Sequence, residues 1–282
     1  MPKIVPRSAT HWTTHQGLIR YIQKHVCIDS SSDCSNLVTT RFTPSTILES
    51  RFLTVLSTQD SDPISGACTK ENQPIVIMSS SKLSNNRAVR MLDAAAEGKY
   101  GVLGVVAYNM ETVVACIKAA ENKRSPLQIL LFPWALKYSP LLVDFCALAI
   151  RKATVPVTLH MDHAQDPEII KQASAIKAAD GTPAFDSIMV DMSHHEKEEN
   201  LAKTKELVAL CHSRGIATEA EPGRIEGGED GVKDTAELQG MMTTAEEIDD
   251  FVATGIDFIA PAFGNVHGDY HGVENIHLDY ER

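Results

Sequence analysis

From residue 81 onward two kinds of hydrophobic pattern alternate along the chain. Short, nearly continuous apolar runs are separated by longer stretches in which apolar residues recur at helical spacing. The runs fall at 102–108, 127–132, 155–160, 187–191, 216–221 and 257–262. The helical patterns fall at 87–97, 110–122, 140–152, 166–178, 198–213 and 245–254, with Gly98 reading as the stop of the first. Strands apolar on both faces, alternating with amphipathic helices, predict a parallel α/β sheet covered by helices. No G-x-G-x-x-G follows the first run, so a dinucleotide-binding sheet is not favoured. The polar, chemistry-bearing residues stand just past the ends of the runs, where a (β/α)8 barrel of the TIM type carries its active site. Six units are found where a closed barrel has eight. The expectation is therefore a barrel truncated after about six β/α units, with two open parallel edges.

Residues 1–80 lack this rhythm. Ser, Thr, Asp and Asn interrupt every apolar segment, as in Asp29-Ser-Ser-Ser-Asp-Cys-Ser. Residues 17–26 have the spacing of a helix, yet nothing around them organises a core. The expected division is a weakly structured extension over 1–80 and a partial barrel over 81–282.

Composition narrows the partners. A hydrophobic content of 43% with 22% charged residues is that of a soluble globular chain. The net charge of -11 opposes nucleic acid and anionic membrane as partners. It does not oppose a phosphorylated small molecule, which a few backbone N–H groups and one local cation can hold. No apolar run approaches the ~20 residues of a membrane helix. The six cysteines are scattered with no CxxC pair, so reduced thiols and a cytoplasmic location are expected. Lys3, Arg7, Arg20 and Lys24, with no acid before Asp29, make a mitochondrial presequence the lesser alternative, because an apolar face is missing.

Three strand ends carry the candidate chemistry. Leu159-His-Met-Asp-His closes the third run, and strand alternation puts His160 and Asp162 on one side, Met161 and His163 on the other, until the strand turns. Glu219 and Glu221 end the fifth run on a shared side, which is costly in an apolar barrel unless a cation or proton compensates. Gly264-Asn-Val-His-Gly follows the sixth and sets His267 beside glycines whose bare backbone can approach an anion. Each alone has a plain structural explanation: a satisfied buried histidine, a solvated strand end, a loop residue. Converging at one end of neighbouring strands, they suit Zn²⁺, for which a catalytic site needs three protein ligands and one open position.

These segments also carry a family resemblance. Asn86-Arg-Ala-Val-Arg, Tyr108-Asn-Met-Glu, Val155-Pro-Val-Thr-Leu-His-Met-Asp-His and Ser187-Ile-Met-Val-Asp-Met-Ser resemble, in order and spacing, the class II fructose- and tagatose-bisphosphate aldolases. So do Glu199-Asn, Glu219-Ala-Glu-Pro-Gly-Arg-Ile-Glu-Gly-Gly-Glu-Asp and Ala262-Phe-Gly-Asn-Val-His-Gly-Asp-Tyr. The resemblance implies that His163 and His267 are zinc ligands, with Glu221 as an alternative metal contact and Asp191 close to the site. It implies that Asp162 handles the hydroxyl proton during C–C cleavage and that Glu229, on a mobile loop, assists proton transfer at carbon. Gly268 lies where backbone holds a substrate phosphate or a monovalent cation. The implied reaction is reversible retro-aldol cleavage of a ketose 1,6-bisphosphate, fructose or tagatose, to glycerone phosphate and glyceraldehyde 3-phosphate, by a homo-oligomer in carbohydrate metabolism. Zinc would stabilise the enediolate as a Lewis acid, so no Schiff-base lysine is required.

The pattern departs from the family in three places. The His-Gly-Gly-type motif that supplies a third zinc histidine and the Asn-x-x-Thr/Ser phosphate motif do not occur after His267 in the 282 residues. Glu-Leu-Gly is replaced by Glu221-Pro222-Gly223, and the usual Asn of the first strand is replaced near Val106. His271, His277 or Glu221 is then left to complete the shell. The alternatives are an aldolase-like subunit or truncated product acting only in binding or assembly, and a different metal-dependent barrel enzyme.

Overall fold

The computed structural model of the chain describes residues 20–21, 83–227, 240–268, 270 and 272–279. Its frame is one parallel sheet. The six expected strands are β2 (Leu103–Val106), β3 (Leu127–Leu131), β4 (Val157–Ala164), β5 (Ser187–Val190), β6 (Ala217–Ala220) and β8 (Phe258–Ile259). Each is hydrogen-bonded to the next in that order, as successive strands of a barrel are. A seventh strand, β1 (Arg20–Tyr21), pairs in parallel with β8. It lies within residues 17–26, which had read as helical; the remainder of the N-terminal extension lies outside the described residues.

Helices accompany the sheet, most of them on one face. They are α1 (Arg87–Gly98), α2 (Met110–Lys123), α3 (Trp134–Tyr138), α4 (Pro140–Lys152), α5 (Pro167–Ala175), α6 (Lys197–Ser213) and α7 (Ala245–Val252). Val105, Ile129, Leu131, Val157, Leu159 and Met161 on the sheet pack with Ile117, Val143, Ile170 and Leu207 of the helices in one buried core. The short helix α3 was not anticipated. Helix α5 stops three residues before the pattern does, because Ile176 turns extended and residues 177–183 close a small antiparallel bridge. α1 does end on Gly98, but the left-handed cap that follows is Lys99, with φ 54°. Gly98 also leaves room for a side chain, since a Cβ there would stand 2.5 Å from the Tyr100 ring. Among the described residues no helix is long and apolar enough to cross a membrane.

Helix α1 closes the N-terminal end of the sheet, away from the candidate chemistry. Asn86 caps it and donates to the Asp186 and Gly215 carbonyls, while Leu83, Val89 and Leu92 pack on Ala217 and Phe258. At the other end two short strands, β7 (Glu226–Gly227) and β9 (Val266–His267), pair in parallel and draw the loops after β6 and β8 together. Gly227, at φ 93°, makes this possible, because any Cβ there would collide with the His267 carbonyl.

Candidate metal centre

Strict alternation would send His163 to the helix side with Met161. The register of β4 against β5 instead shifts between Met161 and Ala164, and His163 adopts φ 45°. A bulge of this kind re-aims a side chain at the cost of local strain. Here it turns His163 into the site, where its ring meets His267 edge-on with centroids 5.0 Å apart.

His163, Glu221 and His267 offer ligand atoms that all lie within 4.8 Å of one another. His163 and Glu221 are buried and His267 is half-buried. Each is held from outside the trio. His163 Nδ1 lies 2.8 Å from Asp191 Oδ2, so the proton on Nδ1 faces a carboxylate and Nε2 becomes the ligand nitrogen. Glu221 Oε1 accepts from the Ile225 N–H at 2.8 Å, and its carbonyl accepts from Asn200 Nδ2. His267 is placed by β9 and its glycine partner.

Asp191, read with the metal site, reaches the trio through His163. Its Oδ1 accepts from the Ser193 N–H at 3.1 Å and hydroxyl at 2.6 Å. Burial alone would raise this carboxyl, but the His163 and Ser193 interactions outweigh it and hold it well below the usual carboxylate range. Asp162 is fully buried, and its Oδ1 accepts from the His163 N–H at 3.1 Å. His160 stands below, with Nε2 3.7 Å from Asp162 Oδ1 and 3.4 Å from Glu219 Oε2. Gly268 follows His267 at φ 100°, exposed, with open space around it. Glu229 and His271 lie outside the described residues, and His277 is not among the converging ligand atoms.

Sequence reasoning missed the supports. Arg224, buried, donates from Nε to the Ser193 carbonyl at 2.9 Å, tying the loop that holds Asp191 to the loop that holds Glu221. Thr243 Oγ1 donates to the Pro222 carbonyl and accepts from the Ala262 N–H at 2.8 Å, joining the loops after β6 and β8.

The electrostatics ask for a cation. Asp162, Asp191, Glu219 and Glu221 are all buried, beside the imidazoles of His160, His163 and His267. Ionised carboxylates removed from water each cost several kcal/mol unless compensated. Two imidazoles and a carboxylate are a three-ligand set found in catalytic zinc sites, so the residues present fit that metal.

The comparisons with known proteins agree with the geometry. The profile of the family described as fructose-bisphosphate aldolase class-II matches residues 86–282. A Coccidioides immitis relative, named as a candidate fructose-bisphosphate aldolase, is 59% identical over 202 residues, covering 71% of this chain and 67% of that protein. A crystal structure of a candidate fructose-1,6-bisphosphate aldolase from the same fungus superposes with a TM-score of 0.66 at 60% identity, covering 71% of this chain and 68% of that one. A fructose-bisphosphate aldolase of Giardia intestinalis is 37% identical over 185 residues, 64% of this chain and 54% of that protein. The chain thus spans from about half to two thirds of the length of these relatives. It belongs to the class-II fructose-bisphosphate aldolase family.

Proposed function

We propose that the chain is a zinc-dependent aldolase that cleaves a ketose 1,6-bisphosphate, with fructose as the sugar, to glycerone phosphate and glyceraldehyde 3-phosphate. The observation that supports this most is the meeting of His163, Glu221 and His267 within 4.8 Å, beside the buried carboxylate of Asp162. Those three residues would hold the zinc. When bound, zinc would act as a Lewis acid that stabilises the negative charge developing on the ketone oxygen.

The chain's own groups divide the remaining work. Asp162 takes the proton from the substrate hydroxyl next to the bond that breaks; that oxygen becomes the aldehyde of one product. The bond's electron pair passes toward the former ketone, and the carbon is later reprotonated, a step the resemblance gives to Glu229. Asp191 keeps the lone pair of His163 on Nε2, and burial of the network strengthens each of these interactions. Gly268, beside His267, offers bare backbone to a phosphate or a monovalent cation. We extend the proposal to a homo-oligomer, supported by the exposed Tyr138, Leu141 and Leu148 of α3 and α4. A monomer at all concentrations in analytical ultracentrifugation would remove that part.

The experiment is zinc titration of the full chain with a retro-aldol assay on fructose 1,6-bisphosphate. One zinc per chain, cleavage abolished by chelation, and loss of cleavage in Asp162→Ala with zinc retained are the expected results. No turnover and no stoichiometric zinc would overturn the proposal.

A further inference from the structure

Below the metal-binding trio lies a set of buried groups that the cleavage chemistry leaves unused. His160 on β4 is fully buried. Its Nδ1 is 2.8 Å from Ser187 Oγ on β5, and its Nε2 faces Glu219 Oε2 at 3.4 Å and Asp162 Oδ1 at 3.7 Å. Gln128 Nε2, from β3, donates to the same Ser187 oxygen at 3.4 Å. One imidazole therefore stands between two fully buried carboxylates.

The charges around the ring favour one place for its proton. Ser187 Oγ can accept from Gln128 and still turn its own hydrogen toward His160 Nδ1. A lone pair on Nε2 would point at two carboxylates and be repelled by both, whereas an N–H there is attracted by both. At 3.4 and 3.7 Å these are ion-pair distances rather than finished hydrogen bonds, and catalytic contacts commonly tighten only when substrate is bound.

We propose that His160 is a positioning residue for Asp162. Its Nε2–H and the His163 backbone N–H act on the same oxygen, Oδ1, so the carboxylate is fixed by that oxygen and Oδ2 is the one that meets the substrate hydroxyl. Glu219 faces the same Nε2 at 3.4 Å, and Ser187 engages the ring's other nitrogen at 2.8 Å. This rests on the aldolase proposal for Asp162, yet the placement of the proton can be tested without turnover.

Two measurements on the full chain decide it. In zinc-loaded protein, Ser187→Ala is expected to lower kcat by about 3- to 10-fold, the scale of one hydrogen bond, with KM and zinc content unchanged. His160→Leu is expected to lower it further, and His160→Gln, whose amide can still donate, to recover part of the loss. If these variants reduce only the folded, zinc-loaded fraction and leave kcat per loaded chain intact, His160 is merely structural and the proposal is overturned. Independently, ¹⁵N NMR of histidine-labelled protein should place hydrogen on Nε2 of the ring whose signal disappears in His160→Gln. Hydrogen on Nδ1 alone overturns the proposal, whether or not the chain turns over. An inactive parent chain with hydrogen on Nε2 would instead count against the aldolase proposal alone.

Discussion

Asp191→Asn separates metal affinity from folding. Asp191 accepts on both oxygens: Oδ2 from His163 Nδ1 at 2.8 Å, and Oδ1 from the Ser193 N–H at 3.1 Å and hydroxyl at 2.6 Å. An asparagine has one oxygen for these two duties. Turning its amide nitrogen toward Ser193 sets a donor against a buried backbone N–H, at a cost of ~1–3 kcal/mol. Turning it toward His163 costs little in the metal-free protein, because the ring can shift its proton from Nδ1 to Nε2 and accept from the amide. That choice leaves Nε2 protonated and unable to ligate. The expected result is a metal-free protein as stable as the parent to within ~1 kcal/mol. Its zinc affinity should be weaker by ~10- to 100-fold, equivalent to ~1.4–2.7 kcal/mol. Competition against a chromophoric chelator measures the affinity and urea unfolding the stability. Unchanged zinc affinity in a folded variant would refute the orienting role of Asp191.

Gly227→Ala should weaken zinc binding by at least about tenfold, the scale of a disturbed supporting contact, because its Cβ collides with the His267 carbonyl and φ is 93°; chelator competition showing parent affinity would contradict this. Thr243→Val should destabilise by ~1–3 kcal/mol in urea unfolding, since it strands the buried Ala262 N–H and Pro222 carbonyl. Asp180, held down to about 2 by the Thr182 hydroxyl and N–H and by Arg151, should titrate by ¹³C NMR near that value. Its folded value lies below the ordinary 3.8, so its contribution is present above pH 3.8 and is lost as pH falls through about 2. A midpoint near 3.8 would show that the Thr182 contacts do not hold in solution.

The sheet was legible because its signal is periodic and local. The six strands of the main sheet from 102 onward, the order in which they pair, and the helices other than α3 follow from apolar runs alternating with amphipathic ones. His163, Glu221 and His267 were legible as strand-end residues of the right types, and the structure brings them to one point. What alternation could not show is how His163 gets there: simple parity puts it with Met161, and a bulge with left-handed backbone reverses that. Glu221 was one of three candidates for the third ligand; its side is set by the Ile225 N–H and Asn200, contacts four residues on and from another helix. Arg224 and Thr243 escaped notice because their partners are backbone carbonyls and amides of distant loops, which leave no pattern in sequence. The pairing of β1 with β8 spans more than two hundred residues and has no periodic signature at all.

The most direct test is X-ray absorption at the zinc edge on the full chain loaded with one equivalent of zinc. Bound by His163, Glu221 and His267, the metal should show two imidazoles and carboxylate oxygen with no sulfur, and His163→Ala with His267→Ala should release it. Sulfur in the shell, or zinc retained in full by that double variant, would contradict the site.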